Sequence, residues 1–274
     1  MTSFGYIPRV TPIHRLTGVS KLLLTLALSI AAMITFDTRF LVFAIVLSVT
    51  FFAMSKLRLS EFKPILVLLI VFMLINNAAI FLFAPEQGEL LYGSRHELLH
   101  LAGRYGVTSE QLFYQLNVTL KYFSIVPVAL IFFLTTEPGE FASSLNALKV
   151  NYKIAFAVSL ALRYIPDIQR SYREISQAQQ ARGVDISKKA SLGARLSGVV
   201  TILFPLVFSS LDKIELISNA MELRGFGKMK RRTWYSARPF TKWDALTIAL
   251  GLVCVLLSVV TIIINKGRFY NPFA

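Results

Sequence analysis

Two arginines, Arg182 and Arg224, end two similar segments that lie 42 residues apart. Segment 175–183 reads Ile-Ser-Gln-Ala-Gln-Gln-Ala-Arg-Gly, and segment 217–225 reads Ile-Ser-Asn-Ala-Met-Glu-Leu-Arg-Gly. Because glycine commonly ends a helix and arginine suits the negative end of the helix dipole, one copy alone predicts only a helix end. Two matched copies indicate recognition as well, since a guanidinium held at a rigid helix end can bind a carboxylate of a partner protein through two parallel hydrogen bonds.

A second arrangement, His96-Glu97-x-x-His100, matches the pattern of zinc peptidases. On a helix the two histidines share one face and bind zinc, and the glutamate acts as general base. The only other histidine is His14, and no motif supplies a third ligand. A membrane-bound zinc metallopeptidase is therefore an alternative. The favoured interpretation assigns no metal ligand here and predicts a short amphipathic helix at the membrane surface, with its leucines in lipid.

The composition predicts an integral membrane protein, because 55% of the 274 residues are hydrophobic and only 16% are charged. The net charge of +14 would suit nucleic acid, but the basic residues cluster beside apolar runs, so we expect a lipid bilayer and no nucleic acid as partner. The single cysteine, Cys254, excludes a disulfide framework. No Walker motif is present, so we expect no ATP hydrolysis by this chain and assign no catalytic residue.

Five apolar runs predict about five membrane-spanning helices. No cleavable signal peptide is evident, so we expect uncleaved spans to hold the chain in the plasma membrane of a prokaryotic cell. The runs cover residues 22–36, 40–55, 64–84, 112–134 and 245–264.

A few polar residues interrupt these runs, namely Asn76, Asn77, Asn117 and Lys121. Asparagines inside membrane helices more often form hydrogen bonds between helices than line a solute path. A self-sufficient carrier would need more polar lining than these residues offer. It stays open as an alternative that predicts transport by this chain alone.

The region 137–242 contains 17 Lys and Arg against 8 Asp and Glu, which by the positive-inside rule places it in the cytoplasm. Alternating crossings then put Lys266 and Arg268 outside, an arrangement that the same rule disfavours. The predicted organisation is a set of N-terminal transmembrane helices over 1–136 with an external loop at 85–110, a cytoplasmic region over 137–243 that carries the two Arg-Gly segments, and a C-terminal transmembrane helix over 244–274.

Within the cytoplasmic region, the apolar stretches 154–165 and 199–208 are too short to span a bilayer. Each runs into a segment with apolar residues at helical spacing, which predicts two long helices that end at the Arg-Gly pairs. The spaced residues are Ile168, Tyr172, Ile175 and Ala178 in the first helix, and Leu211, Ile214, Ile217 and Met221 in the second. The predicted fold is thus all-α, with about five spans and two long cytoplasmic helices.

The chain resembles the transmembrane T component of energy-coupling factor (ECF) transporters, which import vitamins and metal ions into prokaryotes. The resemblance rests on Ala-Arg-Gly at 181–183, Ala-Met-Glu-Leu-Arg-Gly at 220–225, Leu-Arg-Tyr-Ile-Pro at 162–166, and His-Arg-Leu at 14–16 shortly before Lys21. It extends in order over most of the chain. It implies that the two helices are coupling helices whose tips sit in grooves of two ABC-type ATPase subunits.

The same resemblance implies a non-catalytic coupling subunit that links the ATPases to a membrane substrate-binding subunit. Arg182 and Arg224 would each bind one ATPase, while Leu223 replaces the alanine of the family motif and could alter the fit. ATP would be bound by the partners, so no cofactor is expected here. The expected ATPase contacts are Ala181, Arg182, Gly183, Leu223, Arg224 and Gly225, and the expected contacts with the substrate-binding subunit are Ile154, Phe156, Leu160, Ile165, Leu203, Phe204 and Phe208.

Overall fold

The computed structural model describes residues 7, 9–102, 105–185, 191–229 and 233–273. It divides into two compact units, one made of residues up to 144 together with those from 238 onward, and the other of residues 145–237. The elements are α1 (Pro12–Arg15), α2 (Gly18–Ile34), α3 (Thr38–Ser55), a 3-10 turn (Leu59–Glu61), α4 (Lys63–Phe83), α5 (Gln87–Tyr92), β1 (Glu97–Ala102), β2 (Tyr105–Thr108), α6 (Ser109–Thr135), α7 (Pro138–Ala147), α8 (Tyr152–Ala181), α9 (Leu192–Leu223) and α10 (Lys242–Ile264).

The prediction of an all-α membrane protein with about five spans and two long additional helices is confirmed. In the described part of the chain, α3, α4, α6 and α10 are long and apolar enough to cross a membrane, and α2 is an apolar helix of 17 residues. The two long helices are α8 and α9, with 30 and 32 residues. Proline lies inside each of them, at Pro166 and Pro205, without ending the helix.

Helices α2 and α10 begin side by side around a single carboxylate, that of the fully buried Asp244. Its Oδ1 accepts hydrogen bonds from the backbone N–H of Thr17 (2.7 Å), the Thr17 hydroxyl (2.9 Å) and the Ser20 hydroxyl (2.7 Å). Its Oδ2 accepts from the N–H (2.8 Å) and hydroxyl (2.6 Å) of Thr241. One acidic side chain therefore satisfies donors at the positive ends of two parallel helices.

The opposite ends of these helices are joined by the segment after α10. Asn265 donates to the buried carboxylate of Asp37 (2.8 Å), which also forms an ion pair with Arg39 (3.0 Å). Burial alone would raise the pKa of Asp37, but the hydrogen bonds from Arg39 and Asn265 lower it below the ordinary value. Arg268 donates to the carbonyls of Met33 and Ile34 at the end of α2, so this basic residue, which the positive-inside rule disfavours there, neutralises a negative helix end.

The polar residues of the spans mainly connect helices. Asn77 of α4 donates to the Thr119 hydroxyl of α6 (3.3 Å), and its carbonyl accepts from Gln115 (3.2 Å). The Asn117 side-chain oxygen accepts from the Thr38 hydroxyl at 2.7 Å. These bonds agree with asparagine acting as an interhelical link.

The prediction of an amphipathic helix around His96 and His100 is wrong. The residues from Glu97 form strand β1, which pairs antiparallel with β2. The chain is held extended by the start of α6. There, Ser109 N–H donates to the His96 carbonyl (3.0 Å), and Glu110 accepts from the His96 backbone (3.0 Å). The helical spacing that a zinc site needs is therefore absent. Across the described ranges, no group of three His, Cys, Asp or Glu side chains is placed to bind a metal.

Candidate functional site

The Arg-Gly pairs end α8 and α9 with the same hydrogen-bond pattern. At the first, Gly183 N–H donates to the Gln180 carbonyl (2.9 Å), and Val184 N–H donates to the Gln179 carbonyl (3.1 Å). At the second, the matching bonds run from Gly225 to Glu222 and from Phe226 to Met221, both at 2.9 Å. This pair of bonds defines the Schellman motif, so the sequence repeat is also a structural repeat.

Glycine is required at both ends because the backbone adopts the left-handed conformation there. The φ angle is +91° at Gly183 and +65° at Gly225, a region that side chains with a Cβ atom rarely occupy. Arg182 and Arg224 stand immediately before these glycines, and both are exposed. Leu223, the residue that departs from the family motif, is 89% exposed. Each helix therefore stops sharply and presents an arginine to solvent.

The two helices are held together mainly by residues that the sequence did not single out, with Phe156 the exception. Phe226, the residue after the second glycine, packs its ring 4.8 Å from Phe156 and 5.7 Å from Tyr152 at the start of α8. Lys213 donates to the Ser171 hydroxyl at 3.0 Å. A Schellman motif usually includes an apolar residue at this position, so Phe226 could have been identified from the pattern alone.

An apolar groove of about 670 Å³ lies between α8 and α9. Tyr164 and Ile168 contribute to one side, and Ile214 and Ile217 to the other. Three of these four residues, all but Tyr164, belong to the apolar positions that predicted the amphipathic helices. The apolar faces of the two helices thus line the two sides of one groove.

The seven residues expected to contact a substrate-binding subunit fall into two groups. Phe156 packs inside its own unit, against Phe226 and within 6.5 Å of Trp234, and Leu160 lines the groove. Phe204 and Phe208 are each 60% exposed, with their rings stacked at 6.4 Å. The remaining exposed members of the set are Ile154, Ile165 and Leu203.

Comparison with known proteins agrees with the resemblance. Residues 9–235 match the family CbiQ, described as cobalt transport protein, a range that includes both Arg-Gly ends. The chain is similar to the energy-coupling factor transporter transmembrane protein EcfT of Exiguobacterium sibiricum, at 28% identity over 270 residues, covering 92% of this chain and 97% of the relative. Proteins of the same name from Streptococcus thermophilus (28% over 278 residues; 92% and 96% covered) and Macrococcus caseolyticus (25% over 264 residues; 92% and 94% covered) are also similar.

Proposed function

Because this chain belongs to the CbiQ cobalt transport protein family and is the transmembrane component of an energy-coupling factor transporter, we propose that it couples two ABC-type ATPase subunits to a membrane substrate-binding subunit. The chain is a membrane protein with no catalytic role of its own. The proposed cargo is a vitamin or a metal ion, selected by the substrate-binding subunit. ATP is bound by the ATPases, and this chain binds no cofactor.

The observation that carries the proposal is the identical ending of α8 and α9. Two helices that each stop at a left-handed glycine place Arg182 and Arg224 at equivalent positions of the same capping motif, and both side chains are exposed. Two equivalent protrusions suit two related partners, and a guanidinium suits a carboxylate in a partner's groove. Movement of the ATPases on binding ATP would then pull both helices at their tips.

The substrate-binding subunit would contact the exposed apolar residues of the same helices. Phe204 and Phe208 lie one helical turn apart on α9 and form a continuous aromatic surface. An exposed aromatic pair on a helix is suited to packing against a partner helix. In this proposal α9 contacts an ATPase at one end and the substrate-binding subunit along its length, so displacement at the tip reaches the subunit that carries the solute.

The proposal is tested by changing the helix endings while keeping both arginines. The double variant Gly183→Val and Gly225→Val forces a β-branched residue into the left-handed region, at about 1–3 kcal/mol of strain per site. Among the described residues, no neighbouring atom lies within 4 Å of a Cβ added at Gly183, and at Gly225 only the Lys228 side chain does, so the change acts through the backbone. We expect at least a roughly tenfold loss of ATPase subunits recovered with the tagged chain from co-expressing membranes.

The matched control is Gly193→Val, because Gly193 is exposed on α9, has an ordinary helical φ, and meets no atom of the described part of the chain within 4 Å of an added Cβ. This control should recover ATPases like the wild type. Equal recovery by all three proteins would contradict the proposal and reduce the two Arg-Gly pairs to simple helix ends.

A separate measurement tests the contact with the substrate-binding subunit. The double variant Phe204→Ser and Phe208→Ser removes the exposed aromatic pair and should lower recovery of that subunit about tenfold or more, while recovery of the ATPases stays unchanged. Leu216→Ser is the control, because Leu216 is 72% exposed on the same helix and lies outside the expected contact set. If Leu216→Ser lowered recovery of the substrate-binding subunit as much as the double variant does, the assignment of the contact to Phe204 and Phe208 would be wrong.

A further inference from the structure

The start of α7 holds a buried carboxylate that the proposed coupling function does not use. Glu140 and Lys21 are each only 3% exposed, and the Lys21 Nζ lies 3.7 Å from the Glu140 carboxylate. The guanidinium of Arg238 forms a second ion pair with the same carboxylate. These three residues, Lys21, Glu140 and Arg238, are called the clasp below.

The position of the clasp along the chain is informative. The coupling-helix unit is an insertion: the chain leaves the membrane unit after Ser144 and returns at residue 238. Glu140 lies one helical turn before the departure, and Arg238 is the first residue after the return. One carboxylate therefore joins the two segments that connect the coupling helices covalently to the membrane helices.

Both segments are fastened to the first turn of α2. Lys21 also donates to the Thr135 carbonyl at the end of α6 (2.7 Å). The backbone of α7 approaches α2 so closely that a Cβ added at Gly18 would lie 2.5 Å from the Ser144 hydroxyl oxygen and 3.0 Å from the Glu140 carbonyl oxygen. Glycine at this position therefore permits the contact between the two helices.

The returning segment has a second attachment to the N-terminal region. Arg238 donates to the His14 carbonyl at 2.7 Å. The His14 ring is buried between the Thr11 hydroxyl (2.7 Å) and the Ile7 carbonyl (3.0 Å), and burial lowers its pKa. These contacts assign a role to His14 and Lys21, two N-terminal residues on which the family resemblance rests.

Stability alone does not account for a buried ion cluster. Removing charges from water is unfavourable, and apolar residues of similar size often stabilise a protein equally well. Burial raises the pKa of the Glu140 carboxyl, and the positive charges of Lys21 and Arg238 oppose that rise. The cluster also fixes the positions of the segments that carry it, because the Glu140 carboxylate has to stay close to both Lys21 and Arg238.

We propose that Glu140, acting through Lys21 and Arg238, is the positioning residue that passes movement of the coupling helices to the first turn of α2 and the start of α10. This inference rests on the proposed function, because the movement originates at the ATPases. Without the clasp, the departing and returning segments would move independently, and displacement of the helix tips would be absorbed before it reached the membrane helices.

The test is hydrogen exchange of the complete complex of this chain with its ATPase subunits in lipid nanodiscs, with and without ATP plus vanadate. In the wild type, nucleotide should change exchange at the end of α9 (217–226), at the first turn of α2 (18–21) and at the start of α10 (242–245), since strain alters local opening. In Glu140→Gln, the change at 217–226 should persist, and the changes at the other two sites should be lost.

The matched control is Asp37→Asn, which also alters a buried carboxylate that binds an arginine, at the opposite ends of the same helices. It should lower thermal stability but keep the wild-type exchange pattern, which separates transmission from stability. If Glu140→Gln does not accumulate, the double variant Lys21→Met and Glu140→Gln removes the uncompensated lysine and should give the same loss.

The outcomes separate the two proposals. If nucleotide changes exchange at 18–21 and 242–245 in Glu140→Gln as much as it does in the wild type, the clasp does not transmit the movement. That result would leave the proposed coupling function unaffected. If exchange in the wild type changes only at 217–226, the role of the clasp is likewise wrong, and the coupling function is again unaffected. No response at 217–226 in the wild type would instead overturn the proposed coupling function itself.

Discussion

Reversing the charge at both helix tips, with Arg182→Glu and Arg224→Glu, is expected to abolish recovery of ATPase subunits with this chain. Each arginine is exposed and directly precedes a left-handed glycine, so the substitution keeps the glycine on which the helix cap depends, and the less favourable charge at the helix end costs at most about 1 kcal/mol. In the proposed complex each guanidinium binds a carboxylate of an ATPase. A glutamate at the same position would repel that carboxylate, which weakens the binding free energy by several kcal/mol at each site. The measurement is co-purification from membranes that co-express the ATPases.

The control for this prediction is a second double reversal on α8, Arg170→Glu and Arg173→Glu. Both residues are exposed on α8, away from its tip, and the net charge of the chain changes by the same amount. The control should recover ATPases like the wild type. Loss of binding in both double variants would indicate a general electrostatic effect, and retention of binding in the tip variant would exclude the arginines from the interface. The single variants should each show an intermediate loss, since each tip is assigned its own ATPase.

Replacing Asp244 with alanine is expected to cause the largest loss of stability, about 3–5 kcal/mol in the free energy of unfolding. The substitution removes the shared acceptor of five donors, and those of Thr17 and Ser20 are buried. It also removes a negative charge from the starts of α2 and α10, where the dipoles of both helices favour a negative charge. Asparagine should rescue only part of the loss, because its amide group would face hydrogen-bond donors.

This prediction can be measured with a thiol-reactive fluorogenic dye during thermal unfolding in detergent. Cys254 is the only cysteine of the chain and is fully buried in α10, so its labelling reports opening of the helix pair that Asp244 joins. The midpoint should fall by on the order of 10 °C in Asp244→Ala. Asp212→Ala is the matched control, because Asp212 is exposed on α9. An unchanged midpoint in Asp244→Ala would show that the shared carboxylate is dispensable.

The features that depend on local sequence were predictable. A bilayer imposes a minimum length of apolar helix, so the spans could be found from the apolar runs, although α2 begins at Gly18 and thus includes polar flanking residues. The ends of α8 and α9 follow from Arg-Gly alone, because only glycine enters the left-handed region without strain. The exposed pair Phe204 and Phe208 also lies where the apolar stretch 199–208 indicated.

Contacts between distant segments decided the rest. The segment at His96 became a strand because Glu110 and β2 hold its backbone extended, and local periodicity carries no information about either contact. Asp244 meets Thr17 across 227 positions of sequence, and Glu140 meets Lys21 and Arg238 only after the helices have packed. Sequence by itself determined the long apolar helices and the ends of α8 and α9, since those choices depend on neighbouring residues. Tertiary structure decided which charges are buried together, because burial depends on the side chains that other helices bring to the same place.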